Sequence, residues 1–192
     1  MYKAVFKKAL RDSLPVLMGY VTMGFAAGVL LVAKGGLPCP VFWGVVTAAL
    51  FISGTLQFVI VDWFTSHATI LSVALLTLAI NFRYAMYGVS MLGRWKNVPL
   101  LKKCFLIHTL TDETYALEVA CRLEPPAAHL AYCVILSALN LSYWVTGVAA
   151  GAATGSALPI PSEGIEYAMT ALFLVILTDQ VRTFLEERRR GR

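Results

Sequence analysis

The residues of this chain best placed to do chemistry are Tyr20, Gly54, Gln57, Asn81, Arg83, Asp112 and Glu113. The stretch 53–88, SGTLQFVIVDWFTSHATILSVALLTLAINFRYAMYG, carries four of them, together with a further acid, Asp62. Nearly everything around them is hydrocarbon. Moving a polar group out of water costs about 2–7 kcal/mol unless it is hydrogen-bonded. Polar groups at membrane depth therefore face a bundle interior or a wet cavity. Arg83 offers a planar fork to a carboxylate, and Asn81 and a turn at Gly54 offer further donors. Gln57 adds an amide and Tyr20 a hydroxyl. Asp112 or Glu113 suits an ammonium or a coupling proton. Together these groups suit a transport site.

Several of these residues also have a plainer reading, which the sequence leaves open. Arg83 lies near the end of an apolar run, where arginines snorkel to the interface. The run Thr111-Asp-Glu-Thr114 suits a helix start, with Asp112 near its positive end. Gly54 either breaks its apolar segment or forms a packing notch in an intact helix.

The elements that hold these groups are membrane helices. Of 192 residues, 58% are hydrophobic and 14% charged, against about 45–50% and 25% in soluble domains. Mean hydropathy is +0.71. Apolar runs recur at 14–33, 41–64, 67–92, 129–150 and 165–181, each close to the roughly 20 residues that cross about 30 Å of hydrocarbon. The fold expected is an all-α, polytopic membrane protein in one domain, residues 1–192. It has about four to six membrane segments, some broken or re-entrant, and the halves form an inverted repeat.

Net charge is +5, but the basic residues flank apolar spans, so membrane orientation explains them rather than nucleic acid. Cys39, Cys104, Cys121 and Cys133 form no CxxC pair, and there is no HExxH, GxGxxG, Walker or GxSxG motif. No cofactor or metal is expected, and an enzyme reading has no support. The N-terminal MYKAVFKKALRDSLP lacks the features of a cleaved signal peptide.

Lys3, Lys7, Lys8 and Arg11 mark the N-terminal segment as cytoplasmic and plausibly an amphipathic surface helix. Arg94, Lys96, Lys102 and Lys103 mark the 93–103 loop, and the EERRRGR tail marks the C-terminus, as cytoplasmic too. An even number of crossings must then separate residue 13 from residue 93, yet three apolar segments lie between them. Either 41–64 folds back at Gly54 or 67–92 folds back near Asn81. In the second half, 104–121 is interrupted by Asp112, Glu113 and Glu118 and is the segment expected not to span. Gly24 and Gly28, and Gly147, Gly151 and Gly155, leave helix faces open to close approach.

The motifs LPVLMGYVTMGFAAG, SGTLQFV, NFRYAMYGVS, LTDETYAL and GIEYAMTALFLVIL occur in this order. Taken together, they resemble the AzlC-type permease family over nearly the whole chain. The resemblance implies an exporter of branched-chain or similar apolar amino acids in the bacterial inner membrane, acting with a small AzlD-type membrane partner. A hydrophobic pocket separates ligands that differ by one methylene by only about 1–3 kcal/mol, so loose selectivity is expected. Members of that family continue with further apolar sequence beyond the equivalent of 165–185, whereas this chain stops at Arg192; a trimmed architecture or greater dependence on the partner is the expectation. The competing reading is a non-transporting assembly subunit whose polar residues only hold helices together.

Overall fold

The computed structural model describes residues 2–65, 68–96 and 98–157, and beyond these Tyr167, Leu174, Thr178 and Arg182. The apolar segment expected over 165–181 otherwise lies outside the described residues, as does the side chain of Asp62. Among the described residues the elements are α1 (Tyr2–Gly35), α2 (Pro40–Leu50), α3 (Gly54–Thr65), α4 (Ile70–Met91), α5 (Leu100–His108), α6 (Asp112–Ala120) and α7 (Pro126–Ala157). Helices α1, α4 and α7 are long and apolar enough to cross a membrane. At 1.5 Å per residue, the other four are too short to cross about 30 Å singly.

The N-terminal segment and the first apolar run form one helix rather than two. Pro15 lies inside α1 and removes one backbone hydrogen bond there. Side chains reinforce this part of the helix. Ser13 Oγ donates to the Leu10 carbonyl at 3.0 Å, and Lys8 pairs with Asp12 at 2.8 Å. The Tyr132 hydroxyl donates to Asp12 Oδ2 at 3.0 Å and ties α1 to α7.

Helices α1 and α7 run parallel through the centre of the bundle. The glycines of the two expected faces meet one another's backbones. A Cβ on Gly24 would lie 3.0 Å from the Trp144 carbonyl oxygen, and one on Gly147 2.9 Å from that of Val21. Gly28 sits against Val148 and Ala152, and Gly151 against Phe25. Two apolar clusters flank this axis. One holds Val5, Ala9, Met91, Trp95, Leu106 and Cys121 and defines a basal end. The other gathers Ala27, Leu30, Leu31, Ala48, Phe58 and Val61 farther along α1.

The segment 41–64 folds back, and 67–92 does not. Helix α2 ends at Leu50, residues 51–53 are unwound, and α3 starts at Gly54. Ser53 caps the restart: its carbonyl accepts from Gln57 N at 2.9 Å and its hydroxyl from Leu56 N at 3.4 Å. Gln57 Nε2 then donates to Thr47 Oγ1 at 2.9 Å. Two residues four positions either side of the break cannot touch in a straight helix, so α3 returns beside α2.

Segment 104–121 has the same construction. Helices α5 and α6 are separated by 109–111, and Thr111 caps α6 by accepting from Thr114 N at 3.3 Å. Leu106 and Cys121, on either side of this break, both belong to the basal cluster, so this hairpin enters from the basal end. The tips of the two hairpins meet, with His108 Nε2 2.9 Å from the Ala49 carbonyl oxygen. Helix α4 ends in the basal cluster, where α7 begins. A hairpin followed by a long helix thus occurs twice, in opposite directions.

Candidate functional site

A cavity of about 550 Å³ opens where the two breaks meet α1, α4 and α7. Ser53 and Gly54 line it from the first hairpin, and Thr111, Asp112 and Glu113 from the second. The helices restart at these positions, so both present the first-turn N–H groups that have no partner within the helix. Their dipoles add positive potential at the same place. In α6 this potential faces its own acids; in α3, with no acid in the first turn, it is available to a ligand.

Arg83 reaches the cavity from α4. Its NH1 pairs with Asp112 Oδ2 at 2.7 Å and its NH2 donates to the Tyr84 hydroxyl at 3.1 Å. The guanidinium carbon lies 4.9 Å from the centroid of the Tyr84 ring. Arg83 therefore does not reach outward as a snorkelling side chain would. The plainer reading of 111–114 as a helix start does hold: the Thr111 hydroxyl caps α6 and Asp112 lies in its first turn. Asp112 Oδ1 has no partner within hydrogen-bond distance, and the Tyr87 hydroxyl in the cavity wall also faces this carboxylate.

On the opposite wall, Tyr20 of α1 donates to Glu113 Oε2 at 2.8 Å. Its oxygen also lies 2.6 Å from Thr111 Oγ1, which is 3.0 Å from Thr114 Oγ1. Asn140 Nδ2 of α7 donates to Thr114 Oγ1 at 2.9 Å. One consistent set of donors runs from Asn140 through Thr114, Thr111 and Tyr20 to the Glu113 carboxylate. Trp144 packs edge-on to Tyr20 with ring centroids 5.8 Å apart. With Met23, Ile52 and Ile80 it makes the apolar lining.

The structure thus gathers Tyr20, Gly54, Arg83, Asp112 and Glu113 around one cavity. Gln57 and Asn81 are not among its lining residues. Gln57 is fully buried and braces α3 against α2. Asn81 is half-buried, and its Oδ1 has no partner. Thr111, Trp144 and Met23 were not singled out as ligand groups. The position of Thr111 ahead of an acidic turn was the signal for the first; the other two look like any core residue in an apolar helix. Gln57→Leu is expected to lower stability by about 1 kcal/mol, the usual net worth of such a hydrogen bond. Thermal unfolding in detergent measures this, and ligand affinity of the folded fraction should be unchanged.

A family model, the AzlC protein, matches residues 15–158. An uncharacterized membrane protein of Helicobacter pylori strain 26695 is 34% identical over 183 residues, covering 92% of this chain and 78% of that protein. The branched-chain amino acid transport protein AzlC of Bacillus subtilis is 27% identical over 177 residues, covering 92% of this chain and 68% of its own. The inner membrane protein YgaZ of Escherichia coli is 27% identical over 180 residues, covering 91% and 72%. No solved structure matches. The matched region takes in both hairpins, α4 and the whole cavity, and the chain belongs to the AzlC family, a transport-associated family of membrane proteins.

Proposed function

We propose that this chain is the larger subunit of an exporter of branched-chain or similar apolar amino acids. The observation that carries the reading is the cavity itself, where a paired cation and acid stand beside an apolar wall at two helix breaks. Its volume falls within the range of about 300–1,000 Å³ common for small-molecule sites. Broken helices around a buried site are a recurring design in transporters.

A zwitterion fits this arrangement without a change in total charge. Its carboxylate takes the place of Asp112 on the Arg83 fork and meets the free N–H groups at the start of α3. Its ammonium takes the place of Arg83 beside Asp112, within reach of Glu113. An aliphatic side chain lies against Trp144, Met23 and Ile80. The Arg83–Asp112 pair is neutral by itself and Glu113 leaves the empty cavity with one net negative charge; the ligand opens the pair. A small AzlD-type membrane protein is the proposed partner, and the bacterial inner membrane the proposed location.

The test is flux of labelled leucine from vesicles, with and without the partner. Asp112→Asn and Glu113→Gln keep much of the local shape and remove one charge each. Each is expected to lower flux by about tenfold, since hydrogen bonds to charged groups contribute about 1.5–3 kcal/mol. Normal flux in both variants across pH returns these acids to a purely structural role.

The two termini and the 93–103 loop are proposed to face the cytoplasm, on the charge bias of their flanks. A cysteine replacing Lys102, with Cys39, Cys104, Cys121 and Cys133 replaced by serine, should resist impermeant reagents in intact cells. Labelling from outside would reverse the orientation.

A further inference from the structure

Asp112 has Arg83 and Glu113 has Tyr20, but the third acid of α6 has no comparable partner. Glu118 is 0% exposed and lies on the face of α6 turned to α7. Its Oε1 accepts from Ser137 Oγ at 3.3 Å, and its Oε2 has no hydrogen-bond partner. Among the described residues Glu118 forms no ion pair. The groups that face it are Ser137 and Cys133 on α7 and, farther off, Arg94 beyond the end of α4. Arg94 is exposed to solvent. On the α4 side, Tyr115 of α6 stacks on Tyr87 with centroids 4.5 Å apart.

A carboxylate stripped of water and left without a counter-charge is far less stable than the neutral acid. With α6 against α7, burial therefore favours the protonated form of Glu118. The surrounding seam suits an O–H group. Asn140 Oδ1 is buried and receives no hydrogen bond, while its amide nitrogen is engaged by Thr114. Thr114 and Glu118 are four residues apart on α6, and Ser137 and Asn140 three apart on α7, so each pair shares a helix face.

Helix α6 is also a separate piece. It has nine residues, with non-helical chain at 109–111 before it and at 121–125 after it. Its first turn carries Asp112 and Glu113 into the cavity, and the next turns carry Glu118 against α7. A ligand that draws the first turn inward moves Glu118 relative to Ser137. Once wetted, an ordinary glutamic acid, with a pKa of about 4.3, is ionised at neutral pH.

We propose that Glu118 is a proton-binding site of the transport cycle, loaded while α6 lies on α7 and emptied when α6 lifts away. This rests on the transport reading above. In the emptying step the carboxyl O–H bond breaks, the proton passes to water, and a carboxylate remains. In reloading, water returns a proton to the same group. The cavity acids bind the ligand, and Glu118 carries the exchangeable proton.

The experiment uses the full chain in vesicles, with its partner present. Two fluxes are read: exchange of labelled for unlabelled leucine, and accumulation of leucine driven by a pH gradient. Glu118→Gln should keep exchange within about twofold and lose about tenfold or more of the gradient-driven accumulation, the separation expected when a coupling site is removed and the ligand site is left. Glu118→Asp keeps a carboxyl group and should retain both fluxes, with a displaced pH profile. Gradient-driven accumulation at the parental rate in Glu118→Gln overturns the proposal, and so does a Glu118→Asp profile identical to the parent's. If the parent itself exchanges no apolar amino acid, the transport reading falls. Infrared spectroscopy then decides on the proton site without substrate. A protonated-carboxyl band that titrates reversibly in the folded parent and is missing from Glu118→Gln supports it, and the absence of such a band overturns it.

Discussion

Arg83→Lys should reach the membrane at the parental level and lose about tenfold to a hundredfold of its leucine flux. The charge is conserved, so the loss tests the shape of the guanidinium. Arg83 does three things at once: it pairs with Asp112 at 2.7 Å, donates to the Tyr84 hydroxyl at 3.1 Å and lies over the Tyr84 ring. A planar fork with five donors manages this, whereas an ammonium is a compact point charge. The loss of one charge-assisted hydrogen bond, worth about 1.5–3 kcal/mol, corresponds to the range stated, at about 1.4 kcal/mol per factor of ten. Quantitative blotting of the membrane fraction separates insertion from flux. Near-normal flux from well-inserted Arg83→Lys would return this residue to a generic charge.

Gly28→Ala and Gly151→Ala should be the most destabilising single-methyl changes in the described chain. A Cβ on Gly28 would collide with the backbone of Val148 and Ala152, and one on Gly151 with the backbone of Phe25. Neither neighbour is a side chain that rotates away; an entire helix has to move. Overpacking of this kind costs about 1–3 kcal/mol, and more when backbone must shift. The effect appears as a lower unfolding temperature in detergent and a lower yield of folded protein. Gly19→Ala is the control, because a Cβ there meets nothing within 4 Å. Equal stability of all three variants would mean that α1 and α7 are farther apart than described.

Much of this architecture could be read from the chain. Charge counting required one of three apolar segments before residue 93 to turn back and left 41–64, with its Ser-Gly-Thr run at 53–55, and 67–92 as the alternatives. The meaning of that run is local chemistry: Ser53 offers a helix cap in the middle of an apolar stretch, and Thr111 does the same in the second half. The facing glycine rows were visible as a four-residue spacing, but not as partners of each other, since spacing does not say which helices meet. Gln57 was harder to place. An amide at membrane depth suits a ligand as well as it suits Thr47, and only three-dimensional proximity decides. Glu118 was visible as an acid in an apolar run. Its isolation was not, because an ion-paired acid and a lone one look the same in one dimension. The continuity of the basic N-terminal segment with the first apolar run in α1 also escaped the sequence, since proline is most at home in the first turn of a helix and Pro15 lies inside one.

The contact between His108 and the Ala49 carbonyl has a consequence for biogenesis. These residues are 59 positions apart, so the first hairpin leaves the ribosome and enters the membrane well before its tip can be completed. Until the second hairpin is made, the Ala49 carbonyl lacks its His108 partner, and the open start of α3 has α1 beside it, through Met23, but not α6 or α7. A nascent chain halted between the hairpins presents unsatisfied backbone at the depth where lipid offers it nothing. The cavity, lined by both hairpins, is therefore completed only when the second one is in place.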